Sequence, residues 1–311
     1  MTNYDQLAAQ YNGTPVKYER KVQQIAKSNE DAEADRESEN AIITDMAEEL
    51  FAYYERSESK EEATRSVGRF WSTMAKNRDY CYLDRDSIIT TFLCEQASGL
   101  HINTPAQLAY AIKRGKNLHF QPGTKGYILV LKWAGYTVHP QLVLENDILD
   151  FKIVNGQSQT TYEMVEKRDR TNLENMQGVY VAVIDDKTGR TYDHYTSIAD
   201  LKKVEEHVKR EQTRYKSAGT GIVGPWKDWA ERQMLHPAIK RAAKWIASDP
   251  NNERQARLAA TIHYDDLTDI GKLTQKDGVL VNLDDEIRKA EAPVEVKNEA
   301  KKQASKRLGI A

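Results

Sequence analysis

Residues 219–246 read GTGIVGPWKDWAERQMLHPAIKRAAKWI, and this stretch decides how we expect the chain to fold. Gly224 and Pro225 stand where a helix would begin, because proline in a first turn misses no amide donor. Further along, four apolar residues recur at helical spacing and form one stripe, namely Ile239, Ala242, Ala243 and Ile246. The stretch therefore predicts two successive amphipathic helical segments packed on a core.

Three cations, Lys240, Arg241 and Lys244, lie on the face opposite that stripe. Together they form a compact positive strip with almost no acidic residue beside it in the sequence. A solvated helix face is the usual explanation of such a pattern. A surface that binds phosphate groups is the alternative.

The same stretch resembles the signature of the RecT family of phage single-strand annealing proteins. That signature has Gly-Pro-Trp, two acidic residues, a Lys-Thr step and then Arg-Arg-x-x-Lys. The chain departs from it where Asp228 stands one place early and where His236-Pro237 replace Lys-Thr. Positive charge is kept at three of the four basic positions, so the resemblance implies a surface that faces DNA. The matching residues are Gly224, Pro225, Trp226, Asp228, Glu231, Lys240, Arg241 and Lys244.

A second segment, GTKGYILVLKWAG at residues 123–135, also resembles the family pattern, with Lys125-Gly126 and Gly135 aligned. Its continuous apolar run suits a buried strand, whereas the family pattern indicates a helix, and periodicity alone does not separate the two. We predict a helix that is capped by Gly135. Residues 101–122 depart furthest from the family pattern, and the resemblance spans roughly Val67 to Ile246.

Charge is distributed unevenly along the chain. The 311 residues carry 45 Lys and Arg against 47 Asp and Glu, and the mean hydropathy is −0.72. The first sixty residues are strongly acidic, whereas residues 202–245 are basic. The net charge of −2 gives no indication of a nucleic-acid partner, but this asymmetry does.

Cysteine and histidine usage argues against disulfide and zinc chemistry. Cys81 and Cys94 have no CxxC spacing, as is typical of a protein in a reducing cytosol. The seven histidines are scattered, and none pairs with Cys or His at the spacing of metal ligands. The sequence has neither a signal peptide nor a long apolar run. We therefore expect a cytoplasmic protein that has no membrane partner. The resemblance implies that the cytoplasm is that of a bacterial host cell.

The spacing of apolar residues predicts an α+β fold, in which an antiparallel sheet packs against helices that line a basic groove. Helical patterns cover residues 41–54, 61–74 and 198–214. Asp86 or Ser87 is predicted to cap a further helix that is ended by Gly99. Ser197 is predicted to cap the helix at residues 198–214, with Asp200 in the third position of a capping box. A last helical pattern covers residues 251–267. Strand patterns cover residues 137–145, 149–154, 178–184 and 190–195.

Composition divides the chain into four parts. Residues 1–60 form an acidic, partly helical arm, in which residues 28–40 are a solvated linker or frayed helix, or alternatively a segment that docks on a neighbour. Residues 61–248 form the core, residues 249–283 a helical extension and residues 284–311 a charged, mobile tail. The two ends are the flexible segments of the predicted fold.

Motifs for covalent chemistry are absent from the sequence. It has no P-loop, GxSxG or HExxH. Asp185-Asp186 and Asp265-Asp266 are candidate metal carboxylates of a nuclease, but paired acids beside turns are usually turn formers. His194 and His263 are lone histidines with no partner in the sequence, so we expect structural roles for them.

The candidate DNA-binding residues are cations and one aromatic residue. Cations neutralise phosphate, which supplies most sequence-independent affinity, and aromatic rings stack on bases. Trp226 is alternatively a core anchor at a helix start. The candidates are Lys125, Lys132, Arg214, Lys216, Trp226, Lys227, Arg232, Lys240, Arg241 and Lys244.

The resemblance implies that the protein binds single-stranded DNA and anneals complementary strands without ATP or another cofactor. It also implies a homo-oligomer, as a ring or filament, on single strands and annealed duplex. A companion exonuclease and the host single-strand binding protein are further expected partners. A metal-dependent phage nuclease and a passive single-strand coating protein remain as alternatives.

Overall fold

A computed structural model describes residues 15–56, 58–154, 157–165, 173–215, 230–246, 253–269, 272–276 and 278–282. The chain divides into two compact units, Met1–Cys81 and Tyr82–Ala311. The predicted tail at residues 284–311 lies outside the described residues.

The first unit contains two packed helices, α1 (Pro15–Tyr54) and α2 (Lys60–Lys76). Apolar residues of α1 recur at helical spacing and are buried, as are Phe70 and Met74 of α2. The predicted helix start at residue 41 is wrong, because α1 already includes residues 28–40. Glu39, within that acidic run, is buried and accepts a 3.0 Å bond from Arg78. The buried apolar residues of α1 are Ile43, Met46, Leu50 and Tyr54.

The second unit begins with helix α3 (Arg85–Ser98), whose ends are fixed by local chemistry. Asp84 caps its N-terminus by accepting the Ser87 amide at 2.8 Å, so the predicted caps at Asp86 and Ser87 are wrong by two or three positions. Gly99 ends the helix with φ of +71°, as predicted. A hairpin of β1 (Ala109–Arg114) and β2 (Asn117–Pro122) follows in the region for which the sequence pattern predicts no element.

Helix α4 (Thr124–Trp133) confirms the prediction of a helix at residues 123–135. The predicted cap at Gly135 is wrong by one position, because Ala134 caps the helix. Gly135 follows with φ of +89°, a conformation that glycine adopts without strain. Glycine is needed at position 126 for a different reason, because a Cβ there would lie 2.1 Å from the carbonyl oxygen of Leu108. The Lys125-Gly126 motif therefore lets the chain that enters β1 approach α4 closely.

The central sheet has the strand order β3 (Tyr136–Leu144), β6 (Met176–Asp185) and β7 (Thr191–Ser197), all antiparallel. A separate hairpin of β4 (Ile148–Val154) and β5 (Gln157–Glu163) lies between β3 and β6 in the chain. Strands β8 (Leu273–Lys276) and β9 (Val279–Asn282) form another hairpin. Together with the helices, these antiparallel pairs confirm the predicted α+β class.

Three helices follow the sheet: α5 (Ile198–Tyr215), α6 (Ala230–Trp245) and α7 (Glu253–Asp269). Ser197 caps α5 and exchanges bonds with Asp200, as the sequence predicts. Alternate β6 side chains, Val179, Val181 and Val183, are fully buried, and α6 contacts β3, β6 and β7. The helices therefore cover one side of the sheet, and Tyr180 points to the other.

Candidate nucleic-acid interface

Helix α6 carries the positive strip, and its apolar side holds it on the core. Met234, Ala238, Ile239, Ala242 and Ala243 are buried, as is Ile246 just beyond the helix. The prediction of two successive segments is wrong within the described residues, since Ala230–Trp245 is one helix with Pro237 inside it. Residues 224–229, where the sequence predicts the first segment to begin, lie outside the described residues.

Lys240 does not stand in solvent. Its side chain is only 13% exposed, and its ammonium lies 2.5 Å from Asp265, 3.3 Å from Asp266 and 2.6 Å from Asp269, all on α7. Tyr127 of α4 donates a 2.5 Å hydrogen bond to the same Asp265 oxygen. Lys240 thus joins α6 to α7, and Asp265 joins both to α4.

The strip has few acids beside it in the sequence, but it has acidic neighbours in the folded protein. The compensating acids come from α7, which is distant in sequence but packed against α6. Two cations, Lys240 and Lys244, face three carboxylates in this cluster. Lys240 is an ion-pair partner within the fold, and a phosphate oxygen would have to compete with the buried Asp265 carboxylate to reach it.

Burial and pairing set the charge states in the cluster. Burial acts to lower the pKa of Lys240, but Asp265 and Asp269 outweigh it and raise that pKa above its ordinary value. Burial, helped by the charge of Lys240, lowers the pKa of His236 to about 4, so the ring is neutral near pH 7. Burial and then Asp265 raise the pKa of Tyr127, whose hydroxyl therefore remains a donor.

Arg241 and Lys244 are the accessible members of the strip. Their side chains are 39% and 42% exposed. Lys244 lies 2.7 Å from Asp266, and Arg241 lies 3.9 Å from Asp200 of α5. Solvent-exposed ion pairs contribute about 0–1 kcal/mol each, so a phosphate group can replace these carboxylates at small cost.

Other candidates lie on neighbouring helices or on the first turn of α6. Lys125 and Lys132 of α4 are exposed, and Lys125 donates a 3.3 Å hydrogen bond to Gln107. Arg232 of α6 is exposed and lies 3.8 Å from Glu231. Helix α4 contacts α6, so the two helices that carry these cations pack together. The backbone of Arg214 is in α5, while Lys216, Trp226 and Lys227 lie outside the described residues.

Asp265 and Asp266 lie inside helix α7, so the expectation that they stand beside a turn or loop is wrong. A signal for their role was present in the sequence. Leu258, Thr261, Asp265 and Thr268 recur at helical spacing and are all buried, so Asp265 occupies a core position of α7. A carboxylate at such a position calls for a buried cationic partner.

The other pair of aspartates, Asp185 and Asp186, lies at a turn, as the sequence analysis favours. The Asp185 carboxylate accepts the backbone amides of Lys187 and Thr188, and these bonds lower the pKa of Asp185. Among the described residues, no group of three or more His, Cys, Asp or Glu side chains is arranged to hold a metal ion. His194, predicted to be structural, is half-buried and contacts Thr196 at 3.1 Å.

Exposed cations on the helices of an α+β core define a candidate nucleic-acid-binding protein. The family model for the RecT family matches residues 64–270, and this chain belongs to the RecT family. Members of the family anneal complementary single strands of DNA in phage recombination. No curated protein matches the chain. None of the helices in the described residues has both the length and the hydropathy of a bilayer-spanning segment.

Proposed function

We propose that this protein binds single-stranded DNA and anneals complementary strands without ATP, as an oligomer assembled on the DNA. Membership of the RecT family carries the proposal. The exposed side of α6, with Arg241 and Lys244, supports it from the structure, because their partners are surface carboxylates that phosphate can replace.

Within this site, Arg241 and Lys244 bind phosphate, and Lys240 acts indirectly by holding α6 on α7. Lys125, Lys132 and Arg232 extend the cationic surface along the helical side, and together they form the predicted basic groove. Arg214, Lys216, Lys227 and Trp226 remain proposed members of the interface. Because phosphate contacts carry no sequence information, such a surface binds any single strand.

The mechanism is physical rather than covalent. Cations hold the backbone of one strand extended and reduce its repulsion from a second strand. The base edges stay free, so pairing with the second strand selects the complement. No bond is made or broken in the DNA backbone, and no nucleotide hydrolysis is needed.

Assembly follows from the shape of the ligand. A DNA backbone offers adjacent, equivalent sites, so each bound subunit gains from a neighbour on the same strand. We propose a ring or filament on single strands and annealed duplex in the cytoplasm of a bacterial host. A companion exonuclease that exposes single strands and the host single-strand binding protein are the proposed further partners.

A nuclease is the main alternative, and the neighbours of its candidate carboxylates disfavour it. Asp265 is bound by Lys240 and Tyr127, and Asp185 accepts amides of its own turn. A passive coating protein is the other alternative. It shares the binding surface but does not speed pairing.

One annealing experiment separates the three functions. Two complementary labelled oligonucleotides are mixed with the protein in EDTA, in magnesium, and in magnesium with ATP. The proposal expects faster duplex formation in all three buffers and intact strands on a denaturing gel. Cleavage only in magnesium would assign a nuclease, and protection of the strands without faster pairing would assign a coating protein.

A further inference from the structure

An exposed tryptophan stands at the end of the basic helix. Trp245 of α6 is 80% exposed, more than any other large apolar side chain among the described residues. Its ring makes no hydrogen bond or ring contact with a described residue. Tryptophan buries a large apolar area when it finds a partner. Exposure of one ring is common on protein surfaces, so the residues beside Trp245 carry the argument.

The position of Trp245 on the helix indicates what it binds. Arg241, Lys244 and Trp245 are spaced i, i+3 and i+4, so their side chains are neighbours on one surface of α6. Arg241 and Lys244 are the two accessible cations of the strip. A flat π face directly beside two phosphate-binding cations is the combination that binds single-stranded nucleic acid without sequence preference.

A second group of exposed aromatic rings lies on the sheet. Phe151 of β4 lies 6.1 Å from the rings of Tyr180 and Tyr195, on the side of the sheet away from α6. The exposed or half-exposed charges near it on the same hairpin are mainly acidic, namely Asp147, Asp150, Lys152 and Glu163. Trp245, by contrast, has two accessible cations, Arg241 and Lys244, within four residues on its own helix, and it is more exposed than Phe151.

We propose that Trp245 stacks on a base of the single strand whose phosphates contact Arg241 and Lys244. Stacking uses the flat face of the base and leaves its pairing edge open. The bound strand is therefore held by its backbone and by one base face, while the edge remains free to pair with a second strand. This inference rests on the proposed DNA-binding function and adds the contact to the base.

Stacking and charge pairing differ in their response to salt, and that difference makes the proposal testable. Loss of a cation that binds phosphate lowers both the affinity and the slope of log affinity against log salt. Loss of a stacking ring lowers the affinity but leaves that slope unchanged, because no counterion is released. A variant at Trp245 is thus distinguishable from a variant at Arg241.

The experiment measures binding of a labelled oligo-dT by fluorescence anisotropy at several salt concentrations. Trp245→Leu keeps an apolar side chain but removes the π face, and Trp245→Phe restores a smaller one. Phe151→Leu is the matched control, since it removes an exposed ring from the acidic side. We expect Trp245→Leu to bind about 5- to 150-fold more weakly with the parent's salt slope, from about 1–3 kcal/mol per stacked base. We expect Trp245→Phe to recover most of the loss, and Phe151→Leu to bind like the parent.

Tryptophan emission gives a second readout in the same samples. The chain has five tryptophans, and a base stacked on Trp245 quenches its emission. We expect the quenching caused by oligo-dT to shrink in Trp245→Phe. Parent-like affinity in a folded Trp245→Leu, a smaller salt slope, or unchanged quenching in Trp245→Phe would overturn the proposal. So would loss of self-association without loss of oligonucleotide binding, which would assign Trp245 to a protein contact.

Failure of this inference is separable from failure of the proposed function. If Arg241→Ala/Lys244→Ala loses binding while Trp245→Leu keeps it, the phosphate site stands and only the stacking contact is wrong. If the double variant binds and anneals like the parent, the site itself is wrong, whatever Trp245 does.

Discussion

The Lys240 ammonium and the Tyr127 hydroxyl both lie 2.5 Å from the same oxygen of Asp265. Three helices, α4, α6 and α7, therefore meet at one buried carboxylate. This contact distinguishes Lys240 from the other two cations of the positive strip. Lys240 is an internal ion-pair partner, and Arg241 and Lys244 are the cations that remain accessible.

The first prediction compares the contributions of Lys240 and Lys244 to the free energy of unfolding. Lys240→Met should lower the free energy of unfolding by about 3–5 kcal/mol, because it leaves the buried Asp265 carboxylate without its cation. Lys244→Ala, on the same helix but 42% exposed, should change it by no more than about 0.5 kcal/mol. Urea denaturation measures both. Equal, small effects would mean that Lys240 is not a structural residue.

A double-mutant cycle makes the same test independent of helix propensity. Lys240→Met/Asp265→Asn should be less destabilised than the sum of the two single variants, because the second change removes the charge that the first left unpaired. Additive effects would contradict a direct Lys240–Asp265 interaction.

The second prediction concerns the salt dependence of DNA binding. If about five phosphates are neutralised, log affinity for a single strand should fall with log salt at a slope near −3 to −4, from about 0.7 per contact. Arg241→Ala and Lys244→Ala should each make that slope shallower by about 0.7. Lys187→Ala removes an exposed lysine from the β6–β7 turn and should change nothing. A salt-independent affinity would exclude a phosphate-binding surface.

The third prediction compares two glycines. Gly126→Ala should strongly destabilise or unfold the protein, because its Cβ would lie 2.1 Å from the Leu108 carbonyl oxygen. Gly68→Ala, in an exposed helix position with nothing within 4 Å, should instead stabilise by about 0.5–1 kcal/mol. Thermal melts of both variants give the answer. A parent-like melt of Gly126→Ala would mean that α4 and the chain before β1 are not so close.

The fourth prediction is a pH effect from His236. Its folded pKa of about 4 lies below the ordinary 6.5, so the unfolded chain binds the extra proton. Its contribution to stability is therefore complete above about pH 6.5, falls as the pH drops toward 4 and is level below that. Between pH 7 and 5 the loss should be about 1–2 kcal/mol.

His236→Gln should remove that part of the pH dependence and leave the part due to His119 and His194. Burial also lowers the pKa of those two histidines. Urea denaturation at pH 7 and pH 5 for parent and variant measures the difference. The same pH dependence in both proteins would show that His236 is not the responsible group.

Features that depend on neighbouring residues were predictable from the sequence. The Ser197–Asp200 cap of α5 and the glycines that come after α3 and α4 all depend on chemistry within four residues. The β1–β2 hairpin was predictable too, because Gly115-Lys116 joins two alternating segments and Gly115 has φ of +62°. The family pattern departs furthest there, so the resemblance does not indicate this hairpin.

The candidate site was less predictable because its electrostatics are nonlocal. Lys240 and Asp269 are 29 residues apart, and nothing near the strip in the sequence shows that α7 brings its acids there. The exposure of Trp245 is also a property of packing, since the same helical spacing fits a buried ring. Sequence identified the helix and its cations, and the structure separated the buried cation from the accessible ones.

The most direct test of the proposed site is the annealing rate of a folded Arg241→Ala/Lys244→Ala protein. Complementary labelled oligonucleotides are mixed in EDTA without ATP, with the parent and with Lys187→Ala as the matched control. Melting temperatures near that of the parent establish that each variant is folded. We expect the double variant to lose most of the acceleration and Lys187→Ala to keep it. Annealing by the folded double variant at the parent's rate would show that the strip is a solvated helix face and that DNA binds elsewhere.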